Sequence, residues 1–442
     1  MRPYSRSRIL RTRNQLVRRS SALYRSLGVS CLARWAFYGF VFSLPFETAD
    51  IGLPYELPKI IGGFLLLAAF FQPRVCLRRP PAAFWCFAGY LLVCGVWGFF
   101  WEAGYWEEVT QRLYTLFQLL VLFWIAYNLL RYDRIAKNAL LTLTVSCVML
   151  SALQLSGLMS TVVDVGSGAE RISALGENPN RVAGLLALGL LTLIGLTYNL
   201  KNESRLQFLF IVWPVVTLLG ITIVKTGSRG GLLALGAGLL IFIFRSSRTA
   251  WSRFRNALVV LIGLGFLGWV SYQSESTRTR FEETLETGSM ARRELVYPTA
   301  WQMIQQKPFT GWGPVNNTYE LGDRLQHPDE PKTDTHNLFL YVLTATGVVG
   351  AIPFVIGIWL CLQTAWTARA GAHGILPFAL AVALLTANMS GTWLHFKLHW
   401  LVLAYALASS HFIGRGLGRA IARVTRPSVI MPVWRHKVAA AR

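Results

Sequence analysis

The stretch DTHNLFLYVLTATGVVGAIPFVIGIWLCL (residues 334–362) decides how the chain is read. Residues 337–362 hold no Asp, Glu, Lys or Arg. About 20 apolar residues of helix cross the hydrocarbon core of a bilayer. The stretch therefore predicts a membrane span with His336 at its edge, where a polar segment re-enters the membrane. Histidine suits proton transfer near neutral pH, so His336 is a candidate base.

Eleven further apolar runs lie near 31–46, 57–72, 82–101, 113–130, 138–158, 182–199, 207–224, 230–244, 257–272, 375–394 and 398–414. The run at 230–244 is the shortest, and Gly230, Gly231, Gly236 and Gly238 predict close helix contact there. Composition agrees with a membrane protein. Of the 442 residues 53% are apolar and 14% charged, against about 25% charged in soluble domains. Mean hydropathy is +0.43. These values exclude an ordinary soluble enzyme, a disordered chain and a disulfide scaffold. The expected fold class is an all-α polytopic membrane protein with about twelve transmembrane helices.

The net charge of +22 is concentrated at the termini. Residues 1–25 carry eight arginines and 415–442 carry seven basic residues, with no acid in either segment. That placement argues for cytoplasmic tails on anionic membrane lipid and against nucleic acid. The loops holding Arg74, Arg78 and Arg79, then Arg131, Arg134 and Lys137, then Arg245, Arg248, Arg253 and Arg255 fall on the same side. Alternate loops are acidic, with Glu47, Asp50 and Glu56 in one and Glu102, Glu107 and Glu108 in the next. The expected organisation is a basic tail (1–30), nine spans (31–272), a large outer loop (273–336), three spans (337–414) and a basic tail (415–442).

The long loop exceeds what a connection needs, and such loops are usually functional. Ser289 predicts a helix N-cap, with a helix to Gln306 ended by Pro308 and Gly311. Arg292 and Arg293 would then lie on its first turn, an anion-binding geometry. Three more outer places keep cations: Lys225 and Arg229 in Lys-Thr-Gly-Ser-Arg-Gly-Gly (225–231), Arg171 and Arg181 in the loop before the sixth span, and Lys59. Cations at a membrane edge are costly and mark function, or else reach lipid headgroups. His395 and His399 are spaced i, i+4, but no Glu completes a His-Glu-x-x-His metal pattern. No Walker loop, dinucleotide glycine fingerprint or Asp-x-Asp cluster is present. Arginines would have to carry any phosphate group, and neither a metal nor a cofactor is expected.

At these residues the chain resembles the O-antigen ligase and polymerase superfamily of bacterial envelope glycosyltransferases. Thr-Gly-Ser-Arg-Gly-Gly-Leu-Leu (226–233) fits the family's Arg-x-x-x-Leu pattern at Arg229 and Leu233. Arg293 with Tyr297, Pro308, Gly311 and Gly313 is similar to its Arg, aromatic, Pro-x-x-Gly-x-Gly run, with Tyr where the family often has Trp. His336-Asn337, nine residues and Gly347-Val348-Val349-Gly350 fit the ligase pattern of His, Asn/Ser/Gln, nine residues, Gly-x-x-Gly. The motifs cover about residues 170–350.

The resemblance implies a GT-C-like, metal-independent, inverting transferase of the Gram-negative inner membrane. Its donor would be an undecaprenyl-pyrophosphate-linked glycan and its acceptor lipid A–core oligosaccharide, joined at the periplasmic face. His336, Arg229 and Arg293 are the expected catalytic residues. Arg181, Asn180, Lys225, Arg292, Asn337 and Arg171 are expected to contact substrate. Three alternatives remain open: a repeat-unit or exopolysaccharide polymerase, a protein-directed transferase and a lipid-linked glycan transporter. Polymerases often carry Arg-x₁₀-Gly motifs, and the residues eleven after Arg171, Arg181 and Arg293 are Val182, Thr192 and Ile304.

Overall fold

A computed structural model describes residues 28–47, 56–158, 160–164, 170–197, 202–244, 250–288, 290, 292–326 and 331–412. Most of both basic tails and Ser289 lie outside these residues. The chain is mostly helical. It runs through α1 (Cys31–Ser43, extended by a tighter turn to Phe46), α2 (Leu57–Phe70), α3 (Pro73–Cys76), α4 (Ala82–Trp101), α5 (Trp106–Leu130) and α6 (Asp133–Ser156). The strands β1 (Ser160–Asp164) and β2 (Glu170–Ala174) follow, then α7 (Pro179–Thr197), α8 (Asn202–Lys225), α9 (Arg229–Ile241) and α10 (Ala250–Gln273). Next come α11 (Glu275–Thr287), α12 (Arg293–Gln306), α13 (Asn316–Leu325), α14 (Leu338–Thr367), α15 (Leu376–Ala387) and α16 (Lys397–Ala408).

Among the described residues, six helical segments are long and apolar enough to cross a membrane: Ala82–Trp101, Ala103–Leu130, Asp133–Ser156, Pro179–Thr197, Phe254–Gln273 and Leu338–Ala370. Five shorter apolar helices, of 10–17 residues, add Cys31–Phe46, Leu57–Phe70, Phe210–Lys225, Arg229–Phe244 and Leu376–Ala387. Outward-facing Phe64, Phe99 and Trp213 are exposed, as expected of helices whose solvent is lipid.

The helices differ from the sequence reading in three places. A short antiparallel hairpin, β1–β2, pairs Val162 with Ile172 where only loop was expected. Its β-branched residues favour extended backbone, and it is too short to register in a hydropathy window. Arg171 is therefore on a strand. The 273–336 segment holds, among the described residues, three helices, α11 to α13, instead of one, and α12 starts at Arg293 with Arg292 as its cap. The apolar run 375–394 stops being helical at Ala387. Residues 388–396 form a turn, because the Asn388 side chain accepts the Trp393 N–H at 3.0 Å and closes the chain on itself.

Two packed groups build the core. Phe87 of α4 meets Trp400 of α16, Phe123 of α5 and Phe354 of α14 at ring-centroid distances of 5.1, 5.4 and 5.7 Å. Small residues bring α7, α9 and α15 close: a Cβ at Gly231 would overlap Ala183, and one at Gly238 would overlap Leu191. This is the close backbone approach expected of glycine at helix contacts in lipid.

Backbone bonds anchor the 308–313 stretch. Helix α14 is broken at Gly347, at φ +58° and ψ −162°, a conformation essentially restricted to glycine. The Pro308–Gly313 segment seats against the break. Trp312 and Gly313 N–H donate to the Thr344 and Ala345 carbonyls at 2.8 and 2.9 Å, and Val348 N–H donates to the Pro308 carbonyl at 2.9 Å. Gly311, at φ +66°, lies so close that a Cβ would stand 2.7 Å from the Thr344 oxygen and the Gly347 nitrogen. The Glu102 carboxylate, pushed up by burial against the pull of the Asn316 and Val315 amides, accepts those N–H groups at 2.5 and 2.9 Å and caps α13.

Gly347→Ala is expected to destabilise the protein by more than about 1–2 kcal/mol, the cost of its backbone conformation alone. The new Cβ would also overlap the Phe309 carbonyl. A lower melting temperature in detergent and faster proteolysis within 307–313 would register the loss. Gly263→Ala in α10, with open space around it, should leave both unchanged.

Candidate active site

The turn after α15 is where the distant motifs meet. Its first residue, Asn388, donates its side-chain amide to the Leu384 carbonyl at 2.8 Å. The Asn388 carbonyl accepts the Leu338 N–H at 2.9 Å, which ties the turn to the start of α14. Asn337 caps α14: its side-chain oxygen accepts the Phe339 and Leu340 N–H groups at 3.0 and 3.3 Å. Asn337 is buried and committed to this cap.

Arg293, the first residue of α12, donates from its guanidinium to the Ser390 carbonyl at 2.8 Å. Its Nε is buried and makes no hydrogen bond among the described residues. One turn on, the Tyr297 hydroxyl donates to the Met389 carbonyl at 2.8 Å and lies 3.4 Å from the His336 carbonyl. Burial pushes this hydroxyl up, beyond what the nearby Arg293 offsets. Arg229 opens α9, whose N-cap Ser228 accepts the Gly231 N–H at 3.1 Å. The adjoining Gly230 sits directly on Ser390, with no room for a Cβ. Arg229 also donates to the Thr284 hydroxyl of α11.

His336 stands at φ +50°, a left-handed backbone uncommon outside glycine and often stored at functional sites. Its side chain is 49% exposed, and Nδ1 lies 3.5 Å from the Asp334 carboxylate. The other Asp334 oxygen accepts the Thr392 hydroxyl at 3.0 Å. Asp334 is thus fixed by the same turn and can orient the ring. Arg293 thus contacts residues 388–392 directly, while Arg229 and His336 are tied to them through their neighbours Gly230 and Asp334.

The remaining expected residues separate from this centre. Arg171 is buried, donating to the Thr226 carbonyl at 2.8 Å and to the Asn180 side chain at 2.9 Å. The hairpin thereby holds the α8–α9 junction just before Arg229. Arg181 lies over the Phe396 ring at 3.7 Å and within 3.4 and 3.8 Å of Glu177 and Glu47. Lys397 joins Glu47 and Glu56 at 2.6 and 3.1 Å. Burial pushes Glu47 up against the pull of Lys397 and Arg181. Glu56 is less buried, so Lys397 and Lys59 hold it below its usual value despite desolvation. Lys225 is exposed at the C-terminal end of α8, where the helix dipole favours a cation. Arg292 is exposed beside Arg293, at φ +69°.

His395 and His399 have separate partners among the described residues. His395 lies 3.4 Å from the Tyr341 hydroxyl, and His399 lies 3.4 Å from the Asn388 amide. Burial pushes His395 down to about 3, so it is neutral. Sequence reasoning missed Asp334, Ser390 and Thr392. Asp334 stood two residues before His336 and could have been found as a possible orienter. Ser390 and Thr392 were hidden inside an apolar run.

Comparison with known proteins matches this region. Residues 214–355 match the family model described as O-antigen ligase, a range that holds Arg229, Arg293, His336 and the break at Gly347. An O-antigen ligase of Pseudomonas aeruginosa is 26% identical over 249 residues, covering 54% of this chain. The matched part spans 57% of that relative's length. Residues 214–355, which carry Arg229, Arg293 and His336, are thus similar to the O-antigen ligase family, within an apolar helical architecture that fits a membrane protein.

Proposed function

We propose that the protein is an O-antigen ligase, a membrane glycosyltransferase. It moves a glycan from undecaprenyl pyrophosphate to a sugar hydroxyl of lipid A–core oligosaccharide. In this reading it crosses the inner membrane about twelve times, with cytoplasmic termini and the active site at the periplasmic face. The attachment of Arg293 to the 388–392 turn, with Arg229 and His336 joined to it through Gly230 and Asp334, carries the proposal.

The chemistry follows from those groups. The acceptor oxygen attacks the anomeric carbon and forms the new C–O bond. The bond from that carbon to the pyrophosphate oxygen breaks, and undecaprenyl pyrophosphate leaves. Attack opposite the leaving group inverts the centre. The acceptor proton passes to His336, which Asp334 holds in position; such transfer contributes roughly 10²–10⁴-fold. Pyrophosphate is a good leaving group and needs stabilisation of charge more than a strong acid. Arg229 and Arg293 supply it, and guanidinium forks hold phosphate oxygens in pairs. Arg293 reaches Ser390 with one nitrogen and keeps its buried Nε as a further donor. Arg292 and Lys225, both exposed, add positive potential near Arg293 and Arg229 in the chain. Arg171, Asn180 and Arg181 act by fixing the hairpin and the start of α7.

The deciding experiment is a purified reaction with an undecaprenyl-pyrophosphate glycan, with and without lipid A–core. Acceptor-dependent attachment of the glycan to lipid A–core supports the ligase. A ladder formed from donor alone would identify a polymerase, and no product with intact reagents would favour a transporter. His336→Ala should abolish transfer while the protein remains in the membrane; wild-type lipopolysaccharide from that variant would remove the base. Asp334→Asn should lower kcat by roughly tenfold or more while KM changes little, as expected of a group that orients a base. Arg293→Lys should lose nearly as much as Arg293→Ala, about 10²–10³-fold in kcat. EDTA should leave the rate intact, and inhibition reversed by one metal would overturn the arginine-based account.

A further inference from the structure

A groove of about 1190 Å³ lies between the starts of α1 and α6. It is at the far end of the bundle from the 388–392 turn. Helix α1 begins in the groove and ends near Glu47, and α6 begins there and ends at the hairpin. The groove is larger than the roughly 300–1,000 Å³ typical of small-molecule sites.

Its polarity changes along the helices. Arg34 and Arg134 line the outermost turn, Tyr38 and Asn138 the next, and Phe42 and Leu141 lie deeper, with Trp35 along the side. These steps from residue 34 to 42 cover about 12 Å of helix. The Arg34 Nε is buried and makes no hydrogen bond among the described residues. Deeper polar groups are already engaged: Asn138 donates to the Tyr38 hydroxyl at 3.3 Å, and Thr142 donates to the Asn138 carbonyl at 2.8 Å. The outer wall is built, because Gln72 holds Ser30 N–H and the Gly28 carbonyl at 2.8 and 2.9 Å. The nearest acid, Asp133, is taken by Lys137 and His373 at 3.0 and 2.9 Å, so it does not cancel the two arginines.

We propose that this groove binds an anionic phospholipid, with its phosphate against Arg34 and Arg134 and an acyl chain along Trp35, Phe42 and Leu141. Two cations above an apolar floor suit an amphiphile with a negative head. Basic pockets between membrane helices are a recognised setting for such lipids. The chain's own N-terminal segment is a poor occupant, since residues 1–25 carry eight arginines and no acid. The assignment rests on α1 and α6 spanning the membrane and is independent of the transfer reaction.

Native mass spectrometry of the delipidated full-length protein tests it. The probes are phosphatidylglycerol, phosphatidylcholine with the same acyl chains, and glycerol 3-phosphate. One retained phosphatidylglycerol is expected, with phosphatidylcholine and glycerol 3-phosphate both retained far more weakly. Arg34→Gln combined with Arg134→Gln should weaken retention of phosphatidylglycerol by roughly 10- to 30-fold. Arg78→Gln combined with Arg79→Gln, in the loop before α4, should not. The wild-type comparison of lipids stands even if the groove variant folds poorly. Equal retention of phosphatidylcholine would overturn the proposal, as would undiminished phosphatidylglycerol on a folded groove variant. Loss of the lipid on removing residues 1–27 alone would also overturn it and assign binding to the tail.

Discussion

The seating of Pro308–Gly313 in the break of α14 is the contact on which the 293–336 segment depends. A helix in lipid satisfies its own backbone, and a broken one leaves donors and acceptors that must be met by protein. Here the partner is another backbone, with Trp312 and Gly313 donating into the break and Pro308 accepting from beyond it. Side chains would hold the two segments apart, so glycine at 311 and 347 is a geometric requirement. The Pro-x-x-Gly-x-Gly run and the Gly-x-x-Gly run are one joint read from two places in the sequence.

That joint determines where the charges go. It fixes the end of α12, and α12 carries Arg293 and Tyr297 back over the start of α14. The 388–396 turn then receives Arg293, Tyr297, Gly230 and, through Asp334, the neighbourhood of His336. The loop beyond α12 is held in the same way: Glu102 caps α13, and α12 and α13 share a small core of Val296, Met303 and Leu321. The site is thus assembled from helix ends, each fixed by a backbone or capping bond, which suits a centre that must hold charge in a set geometry.

The cations at this end fall into two roles. Arg171, Arg181 and Lys397 are bound up with carbonyls and carboxylates and join the hairpin, α1, α7 and α16. Arg293 gives one nitrogen to the protein and keeps a buried donor, and Arg229 stands at a helix start, where the dipole already favours an anion. Composition cannot separate these roles, because both use arginine at a membrane edge. The separation comes from which acids arrive nearby: Glu47, Glu56 and Glu177 gather around Arg181 and Lys397 and away from the 388–392 turn.

The sequence alone determined that the chain is an apolar helical membrane protein and roughly where most of its apolar helices lie, and it singled out Arg229, Arg293 and His336 as candidates. Those readings rest on local quantities: run length, helix period and motif spacing. It did not reveal the turn that unites them. Asn388, Met389, Trp393 and Leu394 sit in a run apolar enough to pass for membrane helix, and the helix ends where Asn388 bonds Trp393 and the Asn388, Met389 and Ser390 carbonyls are taken by Leu338, Tyr297 and Arg293. The hairpin around Arg171, the three helices of the outer segment and the interlock at Gly347 were equally hidden. The hairpin is local but too short for a hydropathy window, whereas the interlock at Gly347 depends on groups far apart in the chain meeting through backbone hydrogen bonds, and such pairings leave no periodic trace in the order of residues. Tertiary structure decided them because a broken helix and an open turn are stable only where another segment satisfies their unpaired amides and carbonyls.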